Sequence, residues 1–207
     1  MAYRETEKMR QRKAEARKRI VKCTYRCVAE GGFRSARVTR IADLAGVATG
    51  TLYRHFESRE DLFAEIFRLA TQREVDKVAE ALATSGNAAE RLERALRQFA
   101  ERALKGPMMA WSLIAEPVDP KVEEERLAYR KAYASLFEKA IQEGIDEKCI
   151  PDQDARQSST CLVGAIAESL VGPLSPTQTA CATIDNNDPL VDSIIRFCMQ
   201  GLTGTRR

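Results

Sequence analysis

The stretch TRIADLAGVATGTLYRHF, residues Thr39–Phe56, decides how the 207-residue chain is read. Its apolar residues Ile41, Leu44, Ala45, Val47, Leu52 and Phe56 are spaced to fill the angle between two short helices. Gly46 lies between them and can take the positive φ of a tight turn, while Ala42 and Ala45 are small enough for close approach. The second helix then exposes Thr49, Gly50, Thr51, Tyr53, Arg54 and His55. Hydroxyls, a glycine that bares the backbone, and cationic or aromatic tips suit a DNA major groove, where residues near a helix N-terminus meet base edges. The bland alternative is a small corner between two helices of an ordinary helical protein.

Charge supports the first reading. Residues 1–60 carry 15 Lys/Arg and 7 Asp/Glu, and residues 61–207 carry 18 and 23, so a +8 quarter stands on a −5 body and the chain totals +3. A basic terminal module on an acidic body is an electrostatic footprint of nucleic-acid binding. Charge runs are otherwise solvated helix faces. With 44% hydrophobic residues the chain can bury a core without disulfides, as one or two domains. No apolar run reaches membrane-spanning length: the best candidate, Ser158–Ile184, holds Glu168 and two prolines. The first residues lack the apolar segment of a signal peptide, so a cytoplasmic location and no membrane partner are expected.

The cysteines (Cys23, Cys27, Cys149, Cys161, Cys181 and Cys198) form no CxxC pair, and His55 is the single histidine. That removes the common zinc spacings, and neither a metal nor a cofactor is expected. Cys23 and Cys27 read as small buried hydrophobes, with thiol redox sensing as the alternative. No nucleophile–base or phosphate-loop spacing occurs, so no catalytic residue is assigned and no enzyme is expected.

Helix start and stop signals recur along the chain, and no stretch alternates as a strand does. The first helix is expected from about Arg10, or earlier, to Glu30, stopped by Gly31–Gly32. Thr39 caps a second ending near Gly46, and Thr49–Phe56 forms a third. Ser58, with Asp61 three later, opens a fourth to about Ala83; Asn87 with Glu90 opens a fifth. Pro107 begins a sixth that ends before Pro117. Asp119–Pro120 opens a seventh to about Glu143, closed by Gly144. Asp152 or Asp154 opens an eighth to Gly172, residues 173–187 form a loop, and Asp188–Pro189 opens a ninth ending at Gly201. The fold class is therefore all-α, about nine helices.

The residues Ile41-Ala42, Ala45-Gly46-Val47, Gly50-Thr51-Leu52-Tyr53, His55-Phe56 and Leu62 make one ordered pattern that resembles the tetracycline-repressor-like (TetR) family of bacterial regulators, over about residues 15–65. Arg59 departs from the family's frequent Lys but keeps its charge. Ala48-Thr49 stands where Ser commonly begins the recognition helix. The resemblance implies an N-terminal helix-turn-helix DNA-binding domain, residues 1–57, and a C-terminal ligand-binding and dimerisation domain, residues 58–207. It also implies a homodimer on a double-stranded, pseudo-palindromic operator, with a small-molecule effector.

Candidate DNA contacts follow. Thr39 and Arg40 open the first motif helix, where a hydroxyl and a cation can meet phosphate. Thr49, Gly50 and Thr51 face the groove. Arg54 either reads guanine or stays a surface arginine. Tyr53 and His55 are similar to the family's phosphate contacts, with a structural role as the alternative for His55. Arg59 sits in the first turn of the fourth helix, where backbone N–H groups also favour an anion. Arg4, Lys8, Arg10, Arg12, Lys13 and Arg17 form either an arm reaching DNA or a solvated tail. The resemblance places a pocket among helices four to eight, with Phe63, Phe67, Met108, Met109, Trp111, Ile114, Tyr129, Tyr133 and Phe137 as candidates and core packing as the alternative for each. Arg126 pairs with an anionic ligand or with Glu123, and Arg130 has no nearby acid; a solvated surface role is expected for both. The last two helices, through Val191, Ile194, Ile195 and Cys198, read as a dimer seam, or else as an intramolecular core.

The expected function is a ligand-responsive, sequence-specific transcriptional repressor. The alternatives are a small all-α enzyme or lipid carrier with an incidental basic N-terminus, and an RNA-binding or nucleoid-type architectural protein.

Overall fold

The computed structural model describes residues 7–179 and 188–204, and among these every regular element is helical. Helix α1 spans Glu7–Ser35 and breaks at Gly32 (φ 75°, ψ 176°), a backbone conformation that only glycine adopts readily. The Gly31–Gly32 pair thus ends the long first stretch of the helix, as its place in the sequence predicts, and residues 33–35 form a separate turn beyond the kink. A last turn follows because the carboxylate of Glu116 accepts from the N–H groups of Phe33 and Arg34, both at 2.9 Å, in place of the missing helix carbonyls. Lys8, Arg10, Arg12, Lys13 and Arg17 lie within α1 rather than on an extended arm; Arg4 and Cys181 fall outside the described residues.

Helix α2 spans Val38–Ala45. Its N-cap is Arg37, not Thr39, which lies inside the first turn and caps nothing. Gly46 ends α2 in the left-handed region, as its position in the motif requires (φ 64°). Helix α3 is shorter than its pattern suggests, Thr49–Leu52, and the chain leaves it in tight turns from His55 and Phe56 back to Leu52. Helix α4, Arg59–Leu82, is capped by Ser58, which accepts from the Asp61 N–H at 3.0 Å. Helix α5, Ala88–Lys105, starts in a reciprocal capping box between Asn87 and Glu90.

Helix α6 spans Pro107–Ile114 and α7 spans Pro120–Asp146. Gly144 does not close α7. It is buried, and a Cβ there would stand 2.5 Å from Ile150 Cδ1, so glycine lets the following loop pack against the helix. The positive φ falls on Lys148 instead (φ 60°). Asp154 caps α8, Ala155–Leu174, which carries Pro173 inside its last turn. Part of the expected 173–187 loop is a short helix, α9, Pro176–Thr179, and α10 spans Asp188–Thr203, past Gly201.

Two clusters of buried side chains result. The first gathers Ile20, Cys27 and Val28 of α1, Ile41 and Ala45 of α2, Leu52 of α3, and Leu62, Ile66 and Phe67 of α4. The second gathers α5, α7, α8 and α10 around Val78 and Leu82 of α4. Within it lie Val191, Ile194, Ile195, Cys198 and Leu202 of α10, packed with Leu162, Ile166 and Leu170 of α8. The apolar stripe read as a dimer seam is therefore interior to the chain, because α10 covers the open side of the α5–α8 layer. Burial pushes the Cys198 thiol up to about 11, as suits a small hydrophobe. No described helix is long and apolar enough to cross a membrane.

Truncating this core has a measurable cost. Ile195, 2% exposed, replaced by Ala should lower the unfolding free energy by about 2–5 kcal/mol. A urea titration reads this, and a loss below about 1 kcal/mol would remove Ile195 from the core.

Candidate nucleic-acid interface and effector cavity

Ile41, Ala42, Ala45, Leu52 and Phe56 are buried and fix the angle between α2 and α3 against α1 and α4. Leu44, expected inside that angle, is 45% exposed, because its position on α2 turns away from α1. The outward surface carries Thr39, Arg40, Thr49, Gly50, Tyr53 and Arg54, with Thr51 and His55 half-buried. A Cβ on Gly50 would meet nothing within 4 Å, so the backbone there is open to an incoming surface.

Several cations on this face already have partners. Arg40 donates to Glu30 at 2.8 Å, and Glu30 also accepts from Arg26 at 2.7 Å, which holds its carboxyl below the usual range. Arg59 pairs with Glu60 at 3.3 Å and Asp119 at 3.8 Å, and its guanidinium lies 5.4 Å from the Phe63 ring centroid. Such exposed pairs are worth little in water, so phosphates can replace the carboxylates at small cost. Burial, then the charges of Arg17 and Lys13, hold the His55 pKa below the ordinary histidine value, so the ring is neutral at pH 7.

A cavity of about 340 Å³ opens in the helical body, walled by α4, α5, α6, α7 and α8 and, beyond the helices expected, by Tyr25 of α1. Of the pocket candidates, Phe67, Met109, Ile114, Tyr129, Tyr133 and Phe137 line it. Phe63, Met108 and Trp111 do not. Phe63 packs on Phe33 with ring centroids 5.3 Å apart, Met109 but not Met108 faces the cavity, and Trp111 packs on the second cluster. Periodicity on α7 finds its stripe, but it cannot find what α5 adds: Phe99, edge-on to Tyr133 at 5.6 Å. Thr71 was also missed; it is buried in the wall, and its Oγ1 has no hydrogen-bond partner.

Arg102, Lys105, Arg126 and Arg130 contribute to the wall against one acid, Glu74, which Arg102 holds through two bonds of 2.6 and 2.7 Å. Arg130 is exposed, as expected, but Arg126 is not solvated: it is 7% exposed. It pairs with Glu123 and donates to the carbonyls of Ser112, Leu113 and Glu116. Among the described residues no cluster of His, Cys, Asp or Glu could hold a metal ion.

A helix-turn-helix surface on a helical body with a ligand-sized cavity defines a ligand-responsive DNA-binding regulator. The family model described as "Bacterial regulatory proteins, tetR family" matches residues 20–66, and "Tetracyclin repressor-like, C-terminal domain" matches residues 85–182. The chain belongs to the TetR family and is a DNA-binding transcriptional regulator. It is 23% identical to the fatty acid metabolism regulator protein of Bacillus subtilis over 73% of this chain and 79% of that one. It is 30% identical to the transcriptional repressor KstR2 of Rhodococcus jostii over 56% and 60%. The crystal structure of FadR from Bacillus subtilis in complex with stearoyl-CoA superposes with a TM-score of 0.74 at 20% identity, covering 89% of this chain and 98% of that one.

His55 offers a direct measurement, because a lone histidine gives unambiguous imidazole resonances. Its NMR titration midpoint should fall below about 6.5. The unfolded chain then binds the extra proton at higher pH, so this contribution to stability is complete above that value and is lost as pH falls toward the folded midpoint. His55→Gln should flatten the stability profile in that window, and a midpoint at or above 6.5 would remove the burial argument.

Proposed function

We propose that the chain is a homodimeric repressor that binds a pseudo-palindromic operator and leaves it when the cavity takes up a largely apolar ligand with an anionic group. The N-terminal domain, residues 1–57, reads DNA through Thr49, Gly50 and Thr51 and positions itself on phosphates through Thr39, Arg40, Tyr53, His55 and Arg59; residues 58–207 bind ligand and dimerise. The cavity carries the reading: aromatic rings from α1, α4, α5 and α7 enclose it, and cations outnumber acids on its wall. Apolar lining with a few placed polar groups is the usual chemistry of a ligand site. Two structures of similar fold support it by their own contents, FadR with stearoyl-CoA and RolR with resorcinol (TM-score 0.69, 16% identity).

The dimer contact uses the outward faces of α8 and α10. Phe197 is 67% exposed on α10, and Cys161 and Gly164 lie exposed on α8. A large exposed apolar side chain beside small residues is what a helix-on-helix seam needs.

Selection of duplexes from a random pool should return a symmetric site with half-sites about 34–36 Å apart. If about 6–10 phosphates are contacted, affinity should fall about 10³–10⁵-fold between 50 and 200 mM salt. Arg59→Ala should weaken all sequences alike, and Thr51→Ala should relax preference at particular bases. An enriched pool with no symmetric site overturns the operator reading. Phe197→Asp should give a folded monomer by light scattering, and a stable dimer would place the seam elsewhere. Stearoyl-CoA and resorcinol, titrated into the operator complex, test the ligand class, with Tyr133→Ala expected to abolish release.

A further inference from the structure

Helix α6 forms one wall of the cavity, which α1 also reaches through Tyr25. Met109 and Leu113 face the cavity and also pack against the first buried cluster. In the last turn of α6, Trp111 O accepts from the N–H groups of Ala115 and Glu116, and Arg126 supplies donors to the carbonyls of Ser112 and Leu113. Its Nε donates to Leu113 O at 3.1 Å, and its Nη2 donates to Ser112 O at 3.3 Å and to Glu116 O at 2.7 Å. Its Nη1 donates to Glu123. A guanidinium has five N–H groups, and these bonds use four. The remaining one, on Nη1, belongs to a residue of the cavity wall.

Glu116, next in line, is 6% exposed and spends both carboxylate oxygens on the α1 backbone, Oε2 on Phe33 N and Oε1 on Arg34 N. These amides follow Gly32, where an added Cβ would lie 2.6 Å from Glu116 Oε1, so the break in α1 and the carboxylate are fitted to each other. Helix α2 starts at Val38, a few residues on. Below, Phe67 of the cavity wall stacks on Phe33 at 6.4 Å and lies 5.9 Å from the Arg126 guanidinium.

We propose that Arg126 receives the ligand's anionic group and that Arg126 and Glu116 form the relay by which cavity occupancy resets the helix-turn-helix. This rests on the cavity being the effector site. An anion bonding Nη1 competes with Glu123 and draws the guanidinium toward the cavity. The α6 terminus loses its anchor, Glu116 shifts, and the two α1 amides lose their acceptor. The last turn of α1 and the start of α2 then move relative to α4. A neutral occupant of equal size has no such hold on Arg126, and binding that does not distinguish the two states shifts nothing.

Two arms test it on the full chain. The first uses no ligand. Hydrogen exchange at the Phe33 and Arg34 amides should be slow in the native chain and at least about tenfold faster in Glu116→Gln, Arg126→Met and Arg126→Lys, as for a local opening. The effects of Glu116→Gln and Arg126→Met on operator affinity should be non-additive in a double-mutant cycle. Additive effects, or unchanged protection in a folded Arg126→Lys chain, overturn the relay. The second arm compares decanoyl-CoA, decanoate and 1-decanol. The two anions should weaken operator binding by about 5–150-fold, and 1-decanol should bind with less than about a twofold effect. Glu116→Gln, whose side chain lies outside the cavity, should keep anion affinity and lose the release. Release by 1-decanol equal to that by decanoate, or release that persists in Glu116→Gln, overturns the proposal. If none of these compounds binds the native chain, the effector reading of the cavity fails, and the exchange measurement still decides the relay.

Discussion

Helix α4 holds the structure together because one uninterrupted rod serves two cores. Leu62, Ile66 and Phe67 near its start are buried with α1, α2 and α3, whereas Val78 and Leu82 near its end are buried with α5, α7, α8 and α10. No glycine or proline interrupts its 24 residues, and Ser58 fixes where it begins. Helical stability of this kind comes from packing of the apolar face more than from propensity. The two halves therefore share a rigid member, and a displacement at Phe67 is felt in both the cavity wall and the DNA-facing module.

The electrostatics of the DNA-facing module are organised for exchange. Glu30 holds Arg26 and Arg40, Glu65 pairs with Arg17, and Asp119 stands near Arg59. The arginines of these pairs are about half-exposed or more, whereas Glu65 and Asp119 are 20% and 21% exposed; exposed pairs contribute at most about 1 kcal/mol. A phosphate can displace Glu30, 38% exposed, from Arg40 without leaving a charge buried and alone, because Arg26 still holds it. Arg126 is the opposite case. It is buried and bonded to three carbonyls and a carboxylate, so disturbing it costs far more than disturbing the surface arginines. The chain thus has cheap contacts where DNA arrives and an expensive one at the wall of the cavity.

Much of the helix plan was legible because its signals are local. Asn87 with Glu90, Ser58 with Asp61, Asp154, and the prolines at 107 and 120 each act within one turn, and all of them stand where helices begin. The turn at Gly46 and the burial of Ile41, Leu52 and Phe56 follow from the spacing of a motif that is complete in itself. Gly32 stops the long stretch of α1 where the sequence places the stop. The extra turn beyond it was not legible, because Glu116, distant in sequence, supplies its acceptors. Gly144 sits inside α7 because Ile150 needs its space.

The sequence by itself determined an all-α chain with a basic helix-turn-helix at one end, since periodicity, caps and charge are properties of neighbours in sequence. Tertiary structure decided which apolar stripes face inward. The stripe of Val191, Ile194, Ile195 and Cys198 has the spacing of a seam and of a core alike, and only the position of α10 over the α5–α8 layer makes it a core. The same holds for the cavity. Phe67, Tyr133 and Phe137 line it while Phe63 and Trp111 do not, because a void is defined by what several helices fail to fill together. Arg126 looked like a surface cation on α7; it is buried because the loose end of α6 needs its donors. Unmet backbone carbonyls at a helix end are visible only once the helix has a neighbour.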